Sequence, residues 1–289
     1  MTYLLLSVAC SVLVSVLLKL APRWRVDLGQ AVTANYLVAA GLTAWLLQPP
    51  LQGLRAPGAP WGALLALAVL LPAGFLVLGR AVALAGIVRS DAAQRLSLLL
   101  SLLAAFALFG ERAHGWKLAG LATGLVAMAG ILARPRAPLE REAWHRAWPW
   151  LLATWIGFAL VDVMLKRIAL SGTSAMAALL AAFAIAFVLM LAVQGLRWAR
   201  GQARPQARGL GAGLLLGALN FGNILFYVRA HQALPDSPAV VFATMNIGVV
   251  ALGTLAGVLG FGERTSPLNR AGLALAVAAI AMIAWGARG

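Results

Sequence analysis

The sequence predicts an all-α membrane protein with ten transmembrane helices arranged as two inverted five-helix repeats. Three observations predict it: an oily composition, the spacing of the apolar runs, and a polar triplet that occurs twice. The chain has 289 residues, of which 62% are hydrophobic and 11% charged. A soluble domain is ordinarily about 25% charged and 45–50% apolar. Mean hydropathy is +0.90. So few charges cannot cover a water-facing surface of this size, so lipid must be part of the solvent.

Ten apolar segments can be drawn, at residues 2–20, 30–48, 61–83, 92–110, 115–134, 148–168, 173–195, 209–233, 239–261 and 267–287. Most are about 20 residues long, enough to cross roughly 30 Å of hydrocarbon at about 1.5 Å per residue. The longest breaks, 49–60, 135–147 and 196–208, are marked by Pro49-Pro50, Pro135 with Pro138, and Pro205. Residues 135–147 are the most charged, with Arg136, Glu140, Arg141, Glu142, His145 and Arg146. They divide the chain into a first repeat, 1–134, a connecting loop, 135–147, and a second repeat, 148–289.

Gly110-Glu111-Arg112 returns as Gly262-Glu263-Arg264, an offset of 152 residues from 110 to 262. The same offset aligns Ala119-Gly120-Leu121-Ala122 with Ala271-Gly272-Leu273-Ala274. Lys19 ends a run in span one as Lys166 does in span six. Arg80-Ala81 in span three matches Arg229-Ala230 in span eight. Five spans is an odd number, so the second half must enter the bilayer from the opposite side. An inverted repeat of this kind is the architecture of many secondary transporters.

Two five-helix repeats, each with Gly-Glu-Arg at the fourth-to-fifth helix junction and a Gly nine residues after the Glu, resemble the drug/metabolite transporter superfamily. The resemblance is nearest to its ten-helix EamA-type members and covers nearly the whole chain. It implies export or exchange of small metabolites through a central cavity lined by both repeats. The chain departs from the family in lacking a proline midway through spans four and nine. The small four-helix relatives carry a membrane-embedded Glu eight residues before the first-helix Lys. Here Ser11 and Phe158 hold those positions, so their carboxylate chemistry does not carry over.

Candidate site residues follow from the cost of polar groups at depth. Asp162 sits mid-run in span six, where an ionisable group costs roughly 2.5–3.5 kcal/mol. Lys166 lies one turn on and can pair with it. The pair reads either as a proton or amine site or as structural. Ser90-Asp91-Ala92-Ala93-Gln94-Arg95 opens span four. Ser90 suits a helix cap, and Asp91 suits the positive end of the dipole. Arg95 reads either as an anion-holding group facing a cavity, through its forked guanidinium, or as the partner of Asp91 in an interfacial pair that seats the helix end; Gln94 shares nearly the same face. Asn220, Asn223 and Tyr227 share one face of span eight. Asn246 in span nine, Asn35 with Tyr36 in span two, and Trp155 in span six complete the set. Such amides serve equally as bonds between helices. Substrate contact is thus expected of Arg95, Gln94, Asn220, Asn223, Tyr227, Asn246, Asn35 and Trp155, and charge or proton coupling of Asp162, Asp91 and Lys166. Gly110, Glu111, Arg112, Gly262, Glu263 and Arg264 read as structural junctions, each Glu meeting its adjacent Arg or the amides that open the next helix.

Other classes have less support. A net charge of +15 would suggest nucleic acid in a soluble chain. Here the arginines lie between apolar runs without a phosphate-tracking patch. The single Cys10 allows no intrachain disulfide. His114, His145 and His231 fall at no metal-ligand spacing, and no nucleophile–base pattern occurs, so neither enzyme nor cofactor nor metal site is expected. The expected partners are a small-molecule substrate and the lipid bilayer, with the proton as a candidate coupling ion, in a bacterial inner membrane. The alternative is a facilitative channel or lipid-moving protein on the same scaffold. Basic residues concentrate in the odd-numbered connections, which puts both termini outside, whereas the resemblance implies cytoplasmic termini.

Overall fold

The computed structural model describes residues 2–109, 115–131, 138–234 and 238–286. The first triplet, Gly110, Glu111 and Arg112, lies outside the described residues. Among those described there is no strand. The helices are α1 (Thr2–Leu20), α2 (Leu28–Leu42, prolonged by a π-helical turn, Thr43–Leu47), the short α3 (Gln52–Arg55), α4 (Trp61–Ala85), α5 (Ile87–Arg95), α6 (Ser97–Phe109) and α7 (Gly115–Ile131). They continue with α8 (Pro138–Leu170), α9 (Ala175–Ala199), α10 (Ala207–Ala233), α11 (Pro238–Leu255, prolonged by a π-helical turn, Ala256–Gly260) and α12 (Pro267–Gly286). Among the described residues, nine helical stretches are long and apolar enough to cross a bilayer, and α7 is a shorter apolar helix. The protein is an all-helical integral membrane protein. Exposed tryptophans fall near span ends, at Trp24, Trp45, Trp61, Trp116 and Trp285. Indole rings favour that level, where an apolar face meets lipid and the N–H meets headgroups.

Two boundaries differ from the sequence expectation. Span four begins at Ile87 rather than Ala92, and it breaks at Leu96 into α5 and α6. Gly86 is the N-cap, so Ser90 and Asp91 sit inside the helix and are buried. Of the two, Asp91 meets Ser15 through one carboxylate oxygen, and the Ser90 hydroxyl has no hydrogen-bond partner among the described residues. The charged stretch 135–147 is helical from Pro138 onward. A proline suits that first helical position, because its missing N–H would have had no intrahelical acceptor.

By packing, the chain forms two compact units, each drawing segments from both halves of the sequence. One comprises residues 1–19, 77–159 and 222–289, and the other 20–76 and 160–221. In the first unit α7 and α12 lie backbone to backbone. A Cβ on Gly272 would stand 2.9 Å from the Ala127 carbonyl, and one on Gly130 would stand 3.1 Å from the Gly272 Cα. Without a hydrophobic force between helices in lipid, such close approach of small residues supplies the van der Waals attraction. Asn269 ties the ends of the two helices. Its Nδ2 donates to the Gly130 and Ile131 carbonyls at 3.0 and 3.2 Å, which α7 leaves unpaired where it ends. Ser266 caps α12 by accepting from the Asn269 amide at 3.1 Å.

In the second unit α2 packs along α9, with Tyr36 set against Phe75 and Phe183, ring centroids 6.1 and 5.8 Å away. Asp27 caps α2 by accepting from the Gln30 amide at 3.1 Å. Arg197 of α9 grips both carboxylate oxygens, at 3.1 and 2.8 Å. Burial alone would push the Asp27 carboxyl up, but the Arg197 hydrogen bond, the Gln30 and Gly29 amides and the Arg197 charge hold it below its ordinary value. A depressed folded-state value stabilises the fold above the unfolded value of about 3.9, and that stabilisation is lost as pH falls through the folded value. Asp27→Asn keeps a cap acceptor and removes the charge. In thermal melts of detergent-solubilised protein the variant is expected to be less stable by about 0.2–1 kcal/mol at neutral pH. The gap should close as the pH drops below about 4.

Candidate functional site

The first unit carries a continuous seam of polar contacts, and α1 organises it. Ser7, Ser11, Ser15 and Lys19 recur every fourth residue, so they form one line up the helix over about 18 Å. The Ser7 hydroxyl donates to Asn223 Oδ1 at 2.8 Å, with the Asn223 carbonyl at 2.9 Å. Ser11 Oγ accepts from an Arg95 terminal nitrogen at 2.6 Å. Ser15 donates to Asp91 Oδ1 at 2.5 Å. Lys19 Nζ lies 3.3 Å from Glu263 Oε1 and donates to the Val82 carbonyl at 3.2 Å. Each step of the line thus meets a polar group from α10, α5, α4 or the turn after α11.

The helix α5 supplies two of the seam's charges, Asp91 and Arg95, and both of its ends are held from elsewhere. At its start, the amides of Ile87 and Val88 donate to the two Glu263 oxygens at 2.7 and 3.0 Å. Gly86 makes this possible. Its φ of 90° is disfavoured for side-chain-bearing residues, and a Cβ there would sit 2.5 Å from Glu263 Oε2. Gly262 (φ 63°) turns the chain so that the Glu263 amide bonds back to the Gly257 carbonyl at 2.9 Å. Glu263 therefore caps α5, a helix remote in sequence. The following helix, α12, is capped by Ser266 instead.

At its other end α5 stops at Arg95, where a cation suits the negative pole of the helix. At the break the Leu96 carbonyl accepts from the Leu99 amide at 3.0 Å and from Trp155 Nε1 at 2.7 Å. Irregular backbone at membrane depth persists only where protein or a polar cavity satisfies it. Asp91 is 2% exposed, and beyond Ser15 its Oδ2 has no hydrogen-bond partner among the described residues. Gly253 of α11 faces that oxygen so closely that a Cβ would collide with it. Also on α5, Arg89 donates to Asn269 Oδ1 at 3.1 Å and lies 5.2 Å over the Trp144 ring.

The other expected residues are distributed as follows. Gln94 is half-buried on α5 beside Arg95. Tyr227 is half-buried on α10, its ring 4.5 Å from His231. Asn246 is largely buried and donates to its own helix at the Phe242 carbonyl, 2.9 Å away. In the second unit Asn220 donates to the buried Asn35 at 3.2 Å. Asp162 is exposed and Lys166 half-buried, one turn apart on α8. Asn220 and Asn223, three residues apart on α10, thus serve different partners. In the sequence Ser11 marks only a position where relatives carry a carboxylate, and Ser7 and Ser15 are unremarkable singly. Their four-residue period with Lys19 was the available signal.

Removing the Glu263 carboxylate leaves two amides at the start of α5 without acceptors. Glu263→Ala is expected to lower stability by about 1–3 kcal/mol. Arg264→Ala, at the neighbouring exposed residue, should stay within about 0.5 kcal/mol of the parent. Thermal denaturation of both variants reads the difference.

The chain matches no protein-family model. It is 38% identical over 285 residues to an uncharacterized protein of Haemophilus influenzae, covering 96% of this chain and 95% of that one. The crystal structure of another protein matches with a TM-score of 0.53 and 18% identity, over 98% of this chain and 99% of its own, a likeness of fold alone.

Proposed function

The chain belongs to the family of that Haemophilus influenzae protein, and we propose that it is a secondary transporter of a small polar metabolite. The favoured substrate class is an amino acid or related carboxylate, exported or exchanged across a bacterial inner membrane by alternating access. The proposal includes the ten-helix EamA-type arrangement of two inverted five-helix repeats. The ordered sequence matches between the halves support it, as do nine spanning stretches with α7 beside them.

The observation that carries the reading is the interrupted span four within the polar seam. Broken helices at membrane depth recur where transporters bind substrates, because helix ends and freed backbone groups can hold polar ligands without water. Arg95 sits at the break and presents a forked donor set suited to a carboxylate. Asn223 and Asn246 can orient the rest of the ligand, and Gln94 shares the Arg95 end of α5. Trp155 has a structural duty as well, holding the Leu96 carbonyl.

Purified protein in proteoliposomes, challenged with a panel of radiolabelled amino acids and small carboxylates, should show saturable, substrate-specific flux. Loss of one charged hydrogen bond costs about 1.5–3 kcal/mol, so Arg95→Ala should weaken substrate affinity roughly 10- to 150-fold. Unchanged flux in Arg95→Ala would remove Arg95 from the site. Non-saturating flux, or scrambling of labelled lipid, would favour a channel or lipid-moving protein instead.

A further inference from the structure

We propose that Asp91 and Ser15 form a proton-binding site whose occupancy is coupled to anion binding at Arg95. The functional half of this statement rests on the transporter reading above, and the site itself does not. Asp91 is 2% exposed within a spanning segment. A carboxylate has about four lone-pair positions to satisfy. Here a single side-chain hydroxyl, Ser15 at 2.5 Å, is its hydrogen-bond donor among the described residues, and Oδ2 has none. A buried polar group left short of partners is costly, which makes it a place where a ligand is accommodated.

The geometry selects the proton over a metal cation. Gly253 abuts Oδ2, so there is no space for an ion on that side. No cluster of His, Cys, Asp and Glu able to hold a metal occurs among the described residues. A proton needs no volume and only one acceptor. The charged groups acting on Asp91 are Arg95, one turn along α5, and Glu263, while Lys19 lies one turn beyond Ser15 on α1. Gly253 offers only backbone from α11.

The exchange balances with one proton taken from water. When Asp91 is ionised, the Ser15 hydroxyl donates to Oδ1. When Asp91 is protonated, the carboxyl donates to Ser15 Oγ. The serine proton then turns to a carbonyl one turn back on its own helix, a bond that helical serines make readily. An ionised Asp91 offsets part of the Arg95 charge. Protonation removes that offset and leaves Arg95 better able to hold an anionic group, so proton and carboxylate favour each other's binding.

Infrared difference spectroscopy of the purified chain in phosphatidylcholine nanodiscs, titrated with pH, tests the site without any substrate. The chain has only 8 acidic residues, so a single protonated-carboxyl band can be assigned by substitution. The expected result is a pH-dependent carboxylic C=O band that disappears in Asp91→Asn and persists in Asp162→Asn. Ser15→Ala, which keeps the carboxyl, should shift both its frequency and its titration midpoint. A spectrum unchanged by Asp91→Asn, or a band lost with Asp162→Asn instead, overturns the proposal. Should Asp91→Asn fail to fold, a band unmoved by Ser15→Ala overturns it equally. An Asp91 band in a protein that shows no saturable flux leaves the proton site standing and removes transport. Saturable flux with no Asp91 band removes the proton site alone.

Discussion

The Glu263 carboxylate accepts the first two amides of α5 while Lys19 holds it from α1. The amides that open α5 have no acceptor within their own helix, and the Glu263 carboxylate, in the connection before α12, accepts from those of Ile87 and Val88. The rest of the first unit's polar chemistry follows from that anchor. Fixing the start of α5 fixes the depth of Asp91 one turn in and of Arg95 two turns in. Those depths match the serine period of α1, so the two helices exchange hydrogen bonds at Ser11 and Ser15.

The break at Leu96 is the second consequence. A helix of α5's length cannot cross the bilayer alone, and α6 completes the span. At the junction Trp155 donates to the Leu96 carbonyl, which also accepts from the Leu99 amide, and so ties the break to α8. Glycines at Gly253 and Gly86 provide the space this packing needs, one against Asp91 and one against Glu263. Stability and candidate chemistry therefore share the same atoms. Glu263 and Trp155 hold the frame, and Asp91 and Arg95 are what the frame presents.

The all-helical membrane class and the course of most spans were legible in the sequence because apolar runs of span length have one solution in lipid. The helices of residues 2–20, 61–85 and 267–286 fall within a residue or two of their apolar runs. What failed was the start of span four. Arg89, Ser90 and Asp91 look like a membrane boundary, and the partners of Arg89 and Asp91, Asn269 and Ser15, are distant in sequence. The break at Leu96 has no local signature, since neither proline nor glycine marks it. Arg95 and Asp91 were legible as costly charges, whereas Ser7, Ser11 and Ser15 are unremarkable singly. The role of Glu263 was hidden for the same reason as the break: its partners lie some 175 residues away.

On the transporter reading, the α1 line and the end of α5 border an aqueous substrate path rather than serving only to join helices. Cysteine accessibility measures this most directly, because the chain has one native thiol, Cys10, to replace. Single cysteines at Ser11 and Asn223 should react with a membrane-impermeant thiosulfonate in proteoliposomes. Cysteines at Leu5 and Leu13, exposed on the same helix among apolar neighbours, should not. Reaction confined to the Ser11 and Asn223 positions and slowed by a transported carboxylate is expected. Equal inertness at all four positions, under conditions where the protein is folded, would contradict it and leave the seam as helix-to-helix bonding.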